Sequence, residues 1–144
     1  MLETETHQPK YLGKQVAGAD AGLDPIKWDL GEMDVTLNVA SGNSFCPVSG
    51  QPDSWSMTIT YRTNGFIAET KSVKLWLQGF HGRKAFNERI TAELAKQFFE
   101  QIKPAWVKVS GKFEARGGIS VHPEYFLDAD KYVNVFTDPS LLPF

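Results

Sequence analysis

The chain carries a single cysteine, Cys46, in the stretch NSFCPVSGQPD that runs from Asn43 to Asp53. A thiolate is intrinsically very nucleophilic, so a thiol mounted on a stiff frame is a candidate for covalent chemistry. Pro47 and Pro52 bound the segment, Gly50 lies within it, and such compositions make turns on which functional groups are often carried. Asp53 follows the thiol closely and is a candidate proton carrier. The bland alternatives are equally concrete. A lone cysteine is ordinarily a small, inert, buried hydrophobe, and an aspartate after proline is common in turns.

A second group lies in ETKSVKLW, Glu69 to Trp76. If a helix starts there, Lys71 and Lys74 share one face. Two ammonium groups near a helix N-terminus with free backbone N–H groups would make an anion site, whereas two ordinary lysines on a solvated face would not. Glu88, in FNERI, opens a longer helical pattern, where the helix dipole favours a carboxylate without any ligand. Arg116 precedes Gly117 and Gly118, as an exposed arginine at a hairpin would. His7, His81 and His122 are scattered, and with one cysteine no metal site is expected.

The elements that must position these residues can be read from periodicity. Residues 33–40 and 54–62 alternate as strands, with Met57, Ile59 and Tyr61 on one face. Residues 71–80 fit a short helix, with Val73, Leu77 and Phe80 on one side. Residues 85–103 fit a longer one, because Ile90, Leu94, Phe98 and Ile102 recur every fourth position and Pro104 ends the pattern. Residues 105–115 and 119–126 read as strands joined by a turn at the Gly-Gly pair. LGKQVAGADAGLDP, 12–25, reads as irregular. Strands and helices come in blocks, which predicts an α+β class with an antiparallel sheet.

The totals agree with one globular domain over 1–144, with 1–11 as a loose N-terminal arm. Apolar residues make up 42% and charged residues 22%, and the net charge is -2, which does not favour a nonspecific nucleic-acid or membrane-surface binder. No apolar run is long enough to span a bilayer, and MLETETHQPK lacks the basic-then-apolar order of a signal peptide, so the expectation is a soluble cytoplasmic protein.

The order of the motifs adds a further reading. FCPVSGQPD, then ETKSVKLW, then FNE, then GKFEARGGIS closely resembles the NADPH-dependent 7-cyano-7-deazaguanine reductases, the nitrile reductases of queuosine biosynthesis in the tunnelling-fold (T-fold) superfamily. The likeness covers roughly residues 11–126 and includes LGKQ at 12–15. It implies a four-stranded antiparallel sheet with two helices inserted between the second and third strands, closing into a barrel on oligomerisation. It also implies that the thiolate of Cys46 attacks the nitrile carbon, that Asp53 moves protons, and that NADPH reduces the resulting thioimide. Lys71, Ser72 and Lys74 would bind the cofactor, with Arg116 as an added phosphate contact. Glu88 and Glu69 would hold the purine-like ring of 7-cyano-7-deazaguanine, with Asn87 beside them. The assembly implied is a homo-oligomer, commonly two stacked pentamers, with sites between subunits and no nucleic acid or membrane partner.

The pattern departs from the family at two positions. Thr70 stands where the signature has Ser or Leu, and Asn87 stands where most members carry His. Asparagine hydrogen-bonds but does not titrate near neutral pH. Two other readings accompany the first. One is the archaeal branch that adds ammonia to a nitrile base on tRNA, which lacks the lysine signature present here. The other is a ring that binds a deazapurine or pterin without turning it over. The zinc-dependent GTP cyclohydrolases are excluded by the missing ligands.

Overall fold

The computed structural model describes Lys10 and residues 22–132. The expected arm, Lys10 apart, and the LGKQ tetrad lie outside the described residues. The main sheet is built on three long strands, β2 (Asp34–Phe45), β3 (Pro52–Arg62) and β6 (Trp106–Arg116). Two short strands, β7 (Ile119–Val121) and β8 (Glu124–Asp128), both pair antiparallel with β6. In chain order the helices α1 (Thr70–Gln78) and α2 (Asn87–Ile102) fall between β3 and β6. The remaining pieces are small. β1 (Pro25–Lys27) pairs with β4 (Phe66–Ala68), and β5 (Arg83–Lys84) runs parallel to the end of β2.

Alternation in β3 follows from burial of one face only. Trp55, Met57, Ile59 and Tyr61 point inward, and Phe113, Gly111, Val109 and Val107 of β6 stand opposite them in register. The apolar stripe of α2 covers this layer, with Ile90, Leu94, Phe98 and Ile102 fully buried. Each such side chain contributes on the order of 1.5–3 kcal/mol. Aromatic contacts bind the layers together. The Tyr61 and Phe98 rings lie 4.8 Å apart, and Trp76 of α1 lies 6.1 Å from Phe98. The Trp76 indole also donates to Gln97 of α2 at 2.8 Å. The opposite face of β3 and β6 is polar, with Thr58, Thr60, Lys108 and Ser110 along it.

The main sheet has six strands, with β5 parallel, where four antiparallel strands were expected, and the short strands β1, β4 and β5 carry too few residues to show periodicity. Two longer elements also differ from the sequence reading, each for a backbone reason. β2 does not stop at Ala40. It runs on to Phe45, because a bulge between Val39 and Gly42 re-registers the ladder with β3. The segment SGNS lacks apolar alternation, which hides its strand character. The last stretch does not form one strand over 119–126. It breaks at His122–Pro123, where proline has no N–H for the ladder, and the Pro123 carbonyl instead accepts from the Gly111 N–H at 2.8 Å.

The bulge depends on a glycine. A Cβ on Gly42 would run into the six-membered ring of Trp55, which is itself 3% exposed and has no room to swing out. Gly42→Ala is therefore expected to cost about 1–3 kcal/mol by overpacking. Thermal unfolding should show a fall of several degrees in Tm, with the far-ultraviolet spectrum unchanged.

Candidate active site

The β2–β3 connection holds Cys46 at its start. Phe45 pairs with Pro52 and Ser44 with Asp53, so both ends of the turn-rich stretch are strand, and the free loop is confined to residues 46–51. The Cys46 N–H donates to the Gln51 carbonyl at 2.9 Å, and the Gly50 N–H donates back to the Cys46 carbonyl at 3.0 Å. These bonds fold Pro47–Gly50 over the thiol. The Ser49 N–H donates to Cys46 Sγ at 3.4 Å. Cys46 is half-buried, not a core residue, so the inert reading of the thiol does not hold.

The surroundings favour its charged form. Hydrogen bonds from the Ser49 side chain and backbone, and from the Val48 backbone, lower the thiol from its usual value of 9.0 to about 6, with a smaller contribution from the Arg116 guanidinium. Burial acts in the opposite direction but is outweighed. The thiolate is therefore the favoured form at neutral pH.

Arg116 arrives from β6. It is the last residue before a two-residue turn in which Gly117 and Gly118 both have positive φ, 59° and 82°, and it pairs across the turn with Ile119. Tight hairpins of this kind need left-handed backbone at both central residues. The strand end thereby aims Arg116 at the β2–β3 loop, where Nη2 bonds to Asp53 Oδ1 and donates to the Gln51 carbonyl at 3.3 Å. Asp53 is buried.

α2 supplies the other side. Asn87 and Glu88 form its first turn, and Phe86 precedes them with 58% of its surface exposed. Together Cys46, Asp53, Asn87, Glu88 and Arg116 line one cleft of about 250 Å³. Its apolar walls are Pro47, Phe86, Ile119 and Val121, and Glu114 adds a second carboxylate. A flat ring with N–H groups on one edge fits such a cleft, because an ionised carboxylate can accept two N–H bonds at once.

The lysine motif lies elsewhere. Lys74 lines a second cleft of about 440 Å³ between β2 and α1, together with Thr70, Leu37 and His81. No residue lines both clefts. Glu69 is the N-cap of α1 and accepts from the N–H groups of Lys71 at 2.9 Å and Ser72 at 2.7 Å. The Ser72 hydroxyl donates to the Glu69 carbonyl at 2.6 Å and accepts from the Asp24 N–H at 3.0 Å. The expectation of free helix N–H groups beside the lysines is thus corrected: a carboxylate from the chain itself already caps them. Ser49, Phe86 and Glu114 were not singled out from sequence. Ser49 could have been found as the hydroxyl three residues after the thiol, and Phe86 as an apolar residue at a helix start with no capping side chain. Among the described residues no group of three or more His, Cys, Asp and Glu is placed to hold a metal, and no helix is long and apolar enough to cross a membrane.

The architecture and site define a small α+β domain that presents a stabilised thiolate, a buried carboxylate and a ring-sized cleft. Comparison with known proteins is specific. A family model described as QueF-like protein matches residues 52–131, and the chain belongs to that family. Curated relatives are named NADPH-dependent 7-cyano-7-deazaguanine reductase. One from Bradyrhizobium sp. strain BTAi1 is 32% identical over 126 residues, covering 83% of this chain and 80% of that protein. One from Bradyrhizobium sp. strain ORS 278 is 35% identical over 124 residues, covering 82% and 78%. The crystal structure of the archaeosine synthase QueF-Like in the apo form shares the fold, with a TM-score of 0.59 and 21% identity over 69% of this chain and 95% of that one.

Alkylation of Cys46 by iodoacetamide should rise with pH through a midpoint of about 6 and then level off, because the thiolate is the reacting form. Ser49→Ala should move the midpoint up by about one unit or more, towards the ordinary thiol range. Mass spectrometry of the labelled protein reads both.

Proposed function

We propose that the chain reduces the nitrile of 7-cyano-7-deazaguanine to the primary amine, giving 7-aminomethyl-7-deazaguanine for tRNA queuosine biosynthesis, at the expense of two NADPH. The observation that carries this reading is the stabilised thiolate of Cys46 opening onto the same cleft as Asp53 and Glu88. The family and the names of the curated relatives support it.

The chemistry needs such a thiolate. A nitrile accepts hydride poorly, whereas a protonated C=N carbon accepts it well. Cys46 Sγ forms a bond to the nitrile carbon while the nitrogen takes a proton, giving a covalent thioimide. NADPH, when bound, supplies hydride. The first hydride and a proton yield a thiohemiaminal. Its C–S bond breaks to return the thiolate and leave a bound iminium, and the second hydride completes the amine. The nitrile thus gains two hydrides and two protons. Asp53 relays those protons, and Glu88 holds the N–H edge of the ring. Asn87 offers a hydrogen bond to the nitrogen as it changes hybridisation, but no titratable proton near neutral pH.

Lys71 and Lys74 bind the cofactor phosphates through their ammonium groups. Glu69 and Ser72 contribute by fixing the helix end that presents these lysines, and Glu69 reaches the ring from that end. Because the thiol and Lys74 line different clefts of one chain, the complete site forms between subunits of a homo-oligomer, two stacked pentamers in the arrangement proposed. The unpaired edges of β2 over residues 34–43 and of β8, both without a strand neighbour among the described residues, support that assembly.

The test is NADPH oxidation with 7-cyano-7-deazaguanine. The natural protein should oxidise two NADPH per nitrile, and Cys46→Ala should lose both the adduct, read by mass spectrometry, and all turnover. An adduct that never oxidises NADPH would overturn reduction in favour of amidine formation or simple binding. Glu88→Ala should weaken nitrile binding about tenfold to a hundredfold, the usual loss for a hydrogen bond to a charged group, read by titration calorimetry.

A further inference from the structure

We propose that Arg116 is a positioning residue of the candidate active site: it clamps the Cys46 loop and the Asp53 carboxylate into one frame, so that nucleophile and proton relay face the cleft together. This deepens the proposed nitrile reduction and rests on it. The role differs from a contact to cofactor phosphate, which the family resemblance implies.

Two hydrogen bonds of this guanidinium join the thiol's loop to the carboxylate. Nη2 bonds to Asp53 Oδ1, and the same nitrogen donates to the Gln51 carbonyl at 3.3 Å. That carbonyl is the group that accepts from the Cys46 N–H at 2.9 Å, so Arg116 is one bond removed from the backbone of the nucleophile. From that position the guanidinium also favours the thiolate over the thiol, as the smallest of the lowering influences on Cys46. Arginine suits this work because its several N–H donors radiate in one plane and its charge does not titrate.

The frame has a clear electrostatic purpose. The charged groups around the thiol come from three elements: Asp53 of β3, Glu88 of α2, and Glu114 with Arg116 of β6. Three of the four are carboxylates, which oppose a thiolate when ionised. Arg116 is the cation among them. Its contact with Asp53 offsets the carboxylate nearest in the fold to the loop, and its charge favours the thiolate directly.

The experiment measures Cys46 alkylation by iodoacetamide against pH in the natural protein, in Arg116→Gln and in the double variant Arg116→Gln with Asp53→Asn, without nitrile or NADPH. Arg116→Gln is expected to raise the midpoint, so that the rate near pH 5 falls about threefold while the plateau at high pH stays. Asp53→Asn in the Arg116→Gln background should recover part of that loss, because the uncompensated carboxylate is gone. An Arg116→Gln profile that overlays the natural one overturns the proposal, whatever happens to the KM for NADPH. If Arg116→Gln does not fold, Arg116→Met serves the same comparison: a raised midpoint supports the clamp, and an unchanged one overturns it. Because no substrate is used, a flat profile defeats this proposal alone. A shifted profile in a protein that never reduces the nitrile defeats the reading on which it rests.

Discussion

β3 is hydrogen-bonded on both sides, and its register with β2 and β6 determines where the reactive groups meet. Its inward residues stand opposite those of β6 in strict pairs from Tyr61 and Val107 to Trp55 and Phe113. A slip of one residue would turn Met57, Ile59 and Tyr61 to solvent, so the buried face holds the register tightly. The same register carries Asp53 to the end of the sheet beside the loop that bears Cys46, and brings Arg116 across from β6. The site is the frayed end of a well-packed sheet. Its precision is borrowed from side chains that never touch a ligand.

At that end the charge balance is unusual. A half-buried thiol sits under donors from its own loop, and a guanidinium reaches it from a neighbouring strand. Donors that converge on a sulfur favour its anion, because each bond is stronger to the charged form than to the neutral one. The local loop supplies the larger share. The Ser49 hydroxyl and the N–H groups of Val48 and Ser49 are all within three residues of Cys46, so the loop's own conformation largely activates it. Arg116 joins this local device to the sheet.

The second cleft has a different character. It lies between the outer strand β2 and α1, and it offers an ammonium and apolar walls in place of a nucleophile. α1 is stiffly anchored there. Glu69 caps its N-terminus, Ser72 ties it to Asp24, and Trp76 ties it to α2. The two clefts share no lining residue. Each can then be shaped for its own ligand.

The strong periodic elements were legible from sequence because each buries one face. Ile90, Leu94, Phe98 and Ile102 mark α2, and the alternation from Trp55 to Tyr61 marks β3, whatever else surrounds them. The identity of the thiol and the order of the motifs were equally plain, since they depend only on residue type and position along the chain. The end of β2, the break at Pro123 and the bulge at Gly42 were hidden, because ladder bonds between main-chain groups leave little trace in side-chain hydrophobicity. Contacts between distant residues were hidden for a stronger reason. The capping role of Glu69 is invisible until α1 is seen to start there, and Arg116 reads as an exposed hairpin residue until β6 is laid beside β3. One-dimensional order determined which chemical groups the protein owns. The packing of α2 on the sheet and the register of β3 decided which of them face one another, because a distance between residues 63 positions apart exists only once the chain has folded.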